Sequence, residues 1–153
     1  MKICIDCDDA AVCLKQVIFD HLKSRGMDIT DLDYAKDKEN PFYGEIGFNL
    51  AKAMQAGLYD RGILICGTGL GMAMIANKVE GVFAGTCHDV FSAERLKKSN
   101  DANVLTMGAR VIGPELAKMI VDAWLNSEFA GGGSTAKVDQ LKTLEHQSFH
   151  PNR

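Results

Sequence analysis

Cys66 is followed by a glycine at every other position, reading Cys66-Gly67-Thr68-Gly69-Leu70-Gly71. Ahead of it stand Ile63, Leu64 and Ile65, an unbroken apolar run such as a buried parallel strand shows. Residues 72–77 read as the start of a helix. A glycine-rich turn between strand and helix exposes backbone N–H groups beside a positive helix end, which makes an anion site. The thiol would sit at the carboxyl end of the strand, where open α/β sheets place their chemistry. Beside a helix N-terminus its pKa is expected below the free value of about 8.5. Taken alone, the same pattern equally describes a buried cysteine before a turn.

The elements around this turn decide between the two readings. Strands are expected over 2–7, 28–33, 82–86 and 103–107, in addition to the one that ends at Cys66. Helices are expected over 10–25, 42–56, 92–98 and 114–126, with Gly44 and Gly47 interrupting the second. Asn40-Pro41 offers that helix a capping side chain and a first-turn proline. Alternating strands and helices imply a parallel sheet covered on both faces with right-handed crossovers. Asp8-Asp9, Cys66-Gly67-Thr68, Cys87-His88-Asp89 and the Arg110 loop all follow strands, so they gather on one edge of the sheet. That convergence raises the glycine turn above an isolated pattern. After a flexible joint over 130–135, a last helix over 136–146 hangs beyond the complete unit, as a helix packing on a second subunit would. A loose tail over 147–153 is expected. Residues 1–153 read as one domain, a three-layer α/β/α sandwich with a Rossmann-like five-stranded parallel sheet.

Composition narrows the class. The 153 residues are 46% hydrophobic and 24% charged, with a formal net charge of −3. Nothing in that balance favours nucleic acid or an anionic membrane, and no apolar run approaches the roughly 20 residues of a membrane helix. Met1 leads directly into a strand-like run, so no signal peptide is expected. Five cysteines without a paired framework suit a reducing compartment, read as the cytoplasm. Cys4 and Cys7 make a Cys-x-x-Cys, but inside an alternating strand and with no second ligand pair to complete a zinc site.

The quoted residues resemble a known family. Ile-Cys-Gly-Thr-Gly-Leu-Gly-Met, Ala-Asn-Lys-Val, Asn-Asp-Ala-Asn-Val-Leu, Gly-Ala-Arg-Val-Ile-Gly and Glu-Leu-Ala-Lys-Met-Ile-Val-Asp-Ala-Trp-Leu are similar to ribose-5-phosphate isomerase B, whose family includes galactose-6-phosphate and tetrulose-phosphate isomerases. The resemblance runs in order through nearly the whole chain. It implies an enzyme of carbohydrate metabolism, an aldose–ketose isomerase of a small phosphorylated sugar working through a cis-enediolate. It implies homodimers or tetramers with shared active sites, and neither metal nor organic cofactor. By resemblance Cys66 is the base, and the N–H groups of Gly67, Gly69, Leu70 and Gly71 stabilise the enediolate oxygen. Thr68 assists ring opening and Asp8 and Tyr43 line the sugar. Asn100 of the adjacent subunit contacts hydroxyls, and Arg110 and Lys137 hold phosphate.

The departures from the family pattern bear on substrate. Cys7-Asp8-Asp9 stands where the family has Cys-Asp-His, and Ser99-Asn100-Asp101 where it has His-Asn-Asp. Gly131-Gly132-Gly133 replaces Gly-Gly-Arg, and Lys137 replaces a second arginine. His88 is a partial substitute for the lost phosphate contact, although exposed decoration is its commoner role. The histidine credited with ring opening is therefore a serine. A four-carbon sugar with phosphate on carbon four cannot close the ordinary ring and needs no such acid. The pattern points to D-erythrulose 4-phosphate/D-erythrose 4-phosphate, with Asp9 and Ser99 as substrate contacts, and ribose 5-phosphate as the alternative. Two other classes compete. A non-catalytic subunit of a paired isomerase is disfavoured by the retained Cys66. A thiol redox protein is disfavoured by the lack of a nearby resolving cysteine.

Overall fold

Short apolar runs alternating with amphipathic segments leave few stable arrangements other than a sheet between two helix layers. The computed structural model, which describes residues 1–39 and 41–151, has that architecture. Strands Lys2–Cys7 (β1), Asp28–Asp31 (β2), Arg61–Cys66 (β3), Ala84–Thr86 (β4) and Val104–Gly108 (β5) form one sheet in the order β2-β1-β3-β5-β4. Every pairing is parallel. The helices are Val12–Ser24 (α1), Tyr43–Gln55 (α2), Leu70–Ala76 (α3), Val90–Lys98 (α4), Pro114–Leu125 (α5) and Thr135–Phe149 (α6).

Strand alternation sorts side chains between the layers. Ile3, Ile5, Cys7, Ile63, Ile65, Leu105 and Met107 pack with α1, α4 and α5 around Trp124. Cys4, Leu64, Cys66 and Val104 pack with Ile46, Leu50, Met54 and Met72 of α2 and α3. Every residue of β3 is buried, as a central strand covered on both faces must be. Fully burying each such aliphatic side chain contributes about 1.5–3 kcal/mol before entropy is counted. The sorting also settles the Cys-x-x-Cys. Three residues apart on a strand means opposite faces, and Cys4 and Cys7 lie in different layers. Burial pushes both thiols up to about 12.

Several boundaries differ from expectation, each for a local reason. β2 ends at Asp31 rather than at 33, because the Asp31 side chain accepts the Asp33 N–H (3.0 Å) and Asp33 turns the chain at φ 45. β4 starts at Ala84 rather than at 82: the Val82 N–H is spent on the Val79 carbonyl, and the Asn103 side chain takes the Phe83 N–H. α1 begins two residues later than expected, after a 3-10 turn at Asp9–Ala11 that Asp8 caps. α4 starts earlier, with Asp89 accepting the Ser92 N–H at 2.7 Å. Gly44 and Gly47 do not break α2. The expected cap at Asn40 lies outside the described residues. The glycine joint contains a 3-10 turn at Gly132–Ser134, and α6 runs on to Phe149 instead of ending at 146. The first residues of the expected loose tail are thus helical, because His146 and His150 anchor that end on Glu80.

At the open edge of the sheet Asn77, just past α3, turns its side chain onto β4. Its Oδ1 accepts the Ala84 N–H (2.8 Å) and its Nδ2 donates to the Ala84 carbonyl (2.9 Å).

Candidate active site

β3 delivers Cys66 to the carboxyl edge of the sheet, where the strand register sets it beside Gly108. The chain then turns through Gly67, Thr68 and Gly69 into α3. Gly69 adopts φ 79, and a Cβ there would come within 2.8 Å of the Met107 backbone, so only glycine fits this turn. The turn aims the Gly69 N–H at Cys66 Sγ, 3.0 Å away. The Leu70 N–H points to Thr68 Oγ1 at 3.4 Å. Cys66 is 5% exposed beneath this loop, whereas Thr68 is exposed.

The neighbouring strand ends close around the loop. Ala109 and Arg110 donate their N–H groups to the carbonyls of Cys66 (2.8 Å) and Gly67 (3.0 Å). The Arg110 guanidinium lies over Gly67, where a Cβ would be 3.4 Å from Nη1. Tyr43, the first residue of α2, lays its ring on Gly71 so closely that a Cβ there would be 2.6 Å from Cε2. On the other side the Asp8 N–H reaches the Ile65 carbonyl (3.2 Å). Asp8, Asp9 and Tyr43 share a cavity of about 460 Å³, the volume of a small-molecule site. Burial raises the Asp8 carboxyl, and the Asp9 charge raises it further; the Ala10 N–H and Arg110 oppose the rise.

Thus Cys66, the glycine loop, Asp8, Asp9, Tyr43 and Arg110 are brought together. Ser99, Asn100 and Lys137 are not. α4 runs back across the sheet, so Ser99 and Asn100 sit at the other end of β5, with Asn100 Nδ2 on the Arg95 carbonyl (3.2 Å). The register pairs Gly62 with Val104 and Cys66 with Gly108, a strand length apart, or roughly 13 Å at about 3.3 Å per residue. Lys137 starts α6 on that same side, where Ala130 donates to the Lys98 carbonyl.

Two features escaped the sequence. His88 is not decoration: its Nε2 accepts the Gly108 N–H at 2.9 Å and ties the end of β4 to that of β5. In the wall of the same cavity, buried Lys15 binds Asp31 (2.8 Å) and approaches Asp33 (3.7 Å). Beside them Asp6 accepts N–H groups from Cys7 (2.8 Å) and Tyr34 (3.2 Å). Burial raises Asp6 to about 6, with those N–H groups and Lys15 holding it back. A carboxylate inside an apolar strand, and a lysine on the buried face of α1 beside Leu14 and Ile18, were the available signals.

Sheet order, two helix layers and a thiol under a glycine loop define a Rossmann-like α/β protein built for small-molecule chemistry at its carboxyl edge. The chain belongs to the Ribose/Galactose Isomerase family, whose model matches residues 3–141. It is 51% identical to the D-erythrulose-4-phosphate isomerase of Pectobacterium atrosepticum, covering 98% of this chain and 99% of that one. It is 47% identical to the ribose-5-P isomerase B of Listeria innocua, over 97% and 99% of the two chains. Among solved structures, the ribose-5-phosphate isomerase B of Clostridium thermocellum superposes with a TM-score of 0.91 at 41% identity, over 97% and 99% of the chains.

Proposed function

We propose that this protein is an aldose–ketose isomerase of a phosphorylated sugar, with Cys66 as its base. The observation that carries the assignment of the base is the Gly69 N–H on Cys66 Sγ, at a strand end flanked by Arg110 and the cavity of Asp8 and Tyr43. Family membership and full-length relatives named as such isomerases support the reaction class.

In this reading the sulfur, as thiolate, takes the proton from the carbon beside the carbonyl. The electron pair left behind makes a cis-enediolate, the proton returns to the neighbouring carbon, and the hydroxyl proton passes from one of the two oxygens to the other. Of the loop N–H groups assigned to the developing oxyanion, those of Gly67 and Gly71 serve it directly, that of Leu70 on leaving Thr68 Oγ1, and that of Gly69 on leaving Cys66 Sγ once the sulfur has taken the proton; one such donor typically contributes about 10²–10³ in rate. Thr68 stands where a hydroxyl helps open a ring. Asp8, Asp9 and Tyr43 bind hydroxyls, and Arg110 binds phosphate. Ser99, Asn100 and Lys137 come from a second copy of the chain, because their own copy holds them at the far end of β5. The exposed Phe42, Leu70 and Met74 beside the loop give that copy an apolar surface to cover. The whole chain acts as one domain. Five free cysteines suit the reducing cytoplasm, and among the described residues no helix is long and apolar enough to cross a membrane.

Substrate preference follows from Ser99. A cyclic pentose phosphate must be opened before its carbon-bound proton becomes acidic, and histidine is the side chain suited to that near neutrality. A tetrulose 4-phosphate skips the step. We therefore assign D-erythrulose 4-phosphate as the better substrate. The test compares kcat/KM for D-erythrulose 4-phosphate and ribose 5-phosphate on one preparation at one pH, for wild type and Cys66→Ala. The expected result is a higher value for the four-carbon sugar, and for Cys66→Ala a loss of about 10²–10⁴ in turnover with binding kept. Faster ribose 5-phosphate turnover overturns the reading of Ser99; near-normal turnover by Cys66→Ala overturns the base.

A further inference from the structure

Three metal-binding side chains converge at the end of α6, outside the catalytic constellation. Glu80 belongs to the turn between α3 and β4, and His146 and His150 lie four residues apart at the carboxyl end of the chain. His150 is the cap of α6, its N–H on the His146 carbonyl, and so follows His146 by one turn. His146 Nδ1 is 3.0 Å from Glu80 Oε1, and His150 Nε2 is 3.0 Å from Glu80 Oε2. All three ligand atoms lie within 4.8 Å of one another.

We propose that Glu80, His146 and His150 form a site for a divalent transition-metal ion of the zinc type. Two imidazoles and a carboxylate are a donor set that zinc uses with a fourth position left for water. With bonds near 2.0–2.2 Å, tetrahedral ligand atoms stand about 3.4 Å apart. The two imidazoles meet opposite oxygens of Glu80 at 3.0 Å, and one ligand atom from each residue lies within 4.8 Å of the others, so side-chain rotations bring the three to coordination spacing. Imidazole suits zinc, copper, iron or nickel, whereas magnesium and calcium prefer all-oxygen shells.

Local charge favours a cation. The Glu145 carboxylate stands alongside, accepting the Gly81 N–H at 3.2 Å. Asp122 offers an instructive contrast: it also meets an imidazole, His21 at 3.0 Å, but Arg25 neutralises the same carboxylate and no second histidine joins it. No lysine or arginine pairs with Glu80 among the described residues. The side chains of His146 and His150 are partly exposed, at 66% and 33%, so an ion reaches them directly from solvent.

The metal would fasten α6 to the body of the chain. Val138 is the sole buried residue of that helix among those described, and its other ties are Lys142 to Asp101 and Glu145 to Gly81. A metal link at the far end turns a lightly held helix into one fixed at both ends.

The test uses the full chain without an affinity tag, stripped with a chelator and titrated with Zn²⁺ by calorimetry. Cys13 is an exposed thiol and so a competing zinc ligand to be excluded, and Cys13→Ser is run beside the wild type. The expected result is one Zn²⁺ per chain in both, with no heat from Mg²⁺. Affinity should fall at least about tenfold in each of Glu80→Gln, His146→Ala and His150→Ala, the scale that loss even of an outer-shell partner produces. Zn²⁺ should also slow amide exchange in the last turns of α6, an effect absent from His150→Ala. No stoichiometric Zn²⁺ binding, binding lost in Cys13→Ser, or affinity unchanged in the histidine variants overturns the proposal.

Discussion

Alanine at position 71 separates the packing of Tyr43 on the glycine loop from the stability of the fold. The new Cβ would stand 2.6 Å from Tyr43 Cε2, 2.8 Å from Cζ and 3.0 Å from Cδ2, so the ring must move. It can: Tyr43 is 48% exposed, and the clashing atoms are at the end of its side chain. Gly71 lies inside α3 without a positive φ, where alanine is better than glycine by about 1 kcal/mol. Pushing a tyrosine off its rotamer costs about 0.5–1.5 kcal/mol. These effects oppose each other, so Gly71→Ala should unfold within about 1 kcal/mol of wild type. Activity has no such compensation. The hydrogen bond proposed from Tyr43 to the sugar would contribute about 0.5–1.5 kcal/mol, so its loss should lower kcat/KM about two- to tenfold. Steady-state kinetics and urea unfolding on wild type, Gly71→Ala, Tyr43→Ala and the double variant give the cycle. In the Tyr43→Ala background the alanine should be silent. An equal loss of activity in both backgrounds, or destabilisation beyond about 2 kcal/mol, would refute the picture of a ring that yields.

Mixing Cys66→Ala with Asn100→Ala protein should restore activity, up to roughly a quarter of wild-type sites for random exchange in a dimer; verified exchange with no regain would place each site within one chain. Ser99→His should narrow the gap between D-erythrulose 4-phosphate and ribose 5-phosphate, measured as the ratio of their kcat/KM values, and an unchanged ratio counts against Ser99 as the discriminating position. Asp6 should make stability pH-dependent. Its native pKa of about 6 exceeds the ordinary 3.8, so between those values the native state holds more proton than the unfolded one. Stability therefore falls as pH rises through that window, by on the order of 2–3 kcal/mol, and does not recover above it. Asp6→Asn should flatten this slope in urea titrations from about pH 4 to about pH 7, and an undiminished slope would clear Asp6 of the effect.

The sheet and the loop were legible because their signals are local. Ile63 to Ile65 and the glycine spacing name a buried strand and a tight turn, and every strand end carried polar residues. What escaped depended on partners remote in sequence. The reach of α6 to Phe149 depends on Glu80, far back in the chain, and its natural stop, Pro151, stands beyond where apolar periodicity fades. The first residue of β4 depends on Asn103 taking the Phe83 N–H. His88 looked like loop decoration because its acceptor role needs the N–H of Gly108, which only the folded sheet brings near. The pairing of Lys15 with Asp31 likewise joins a helix to a strand.

Asn77 has a consequence for life at high concentration. A sheet edge with free N–H and C=O groups is a template on which another chain can add a strand. β4 spans only Ala84–Thr86, and the Asn77 amide already occupies both outward-facing groups of Ala84. One side chain thus impersonates the missing neighbour strand and leaves too little bare edge to seed a foreign pairing. Asn77→Ala would reopen that template, and its first symptom should be slow aggregation of folded protein rather than a change in catalysis.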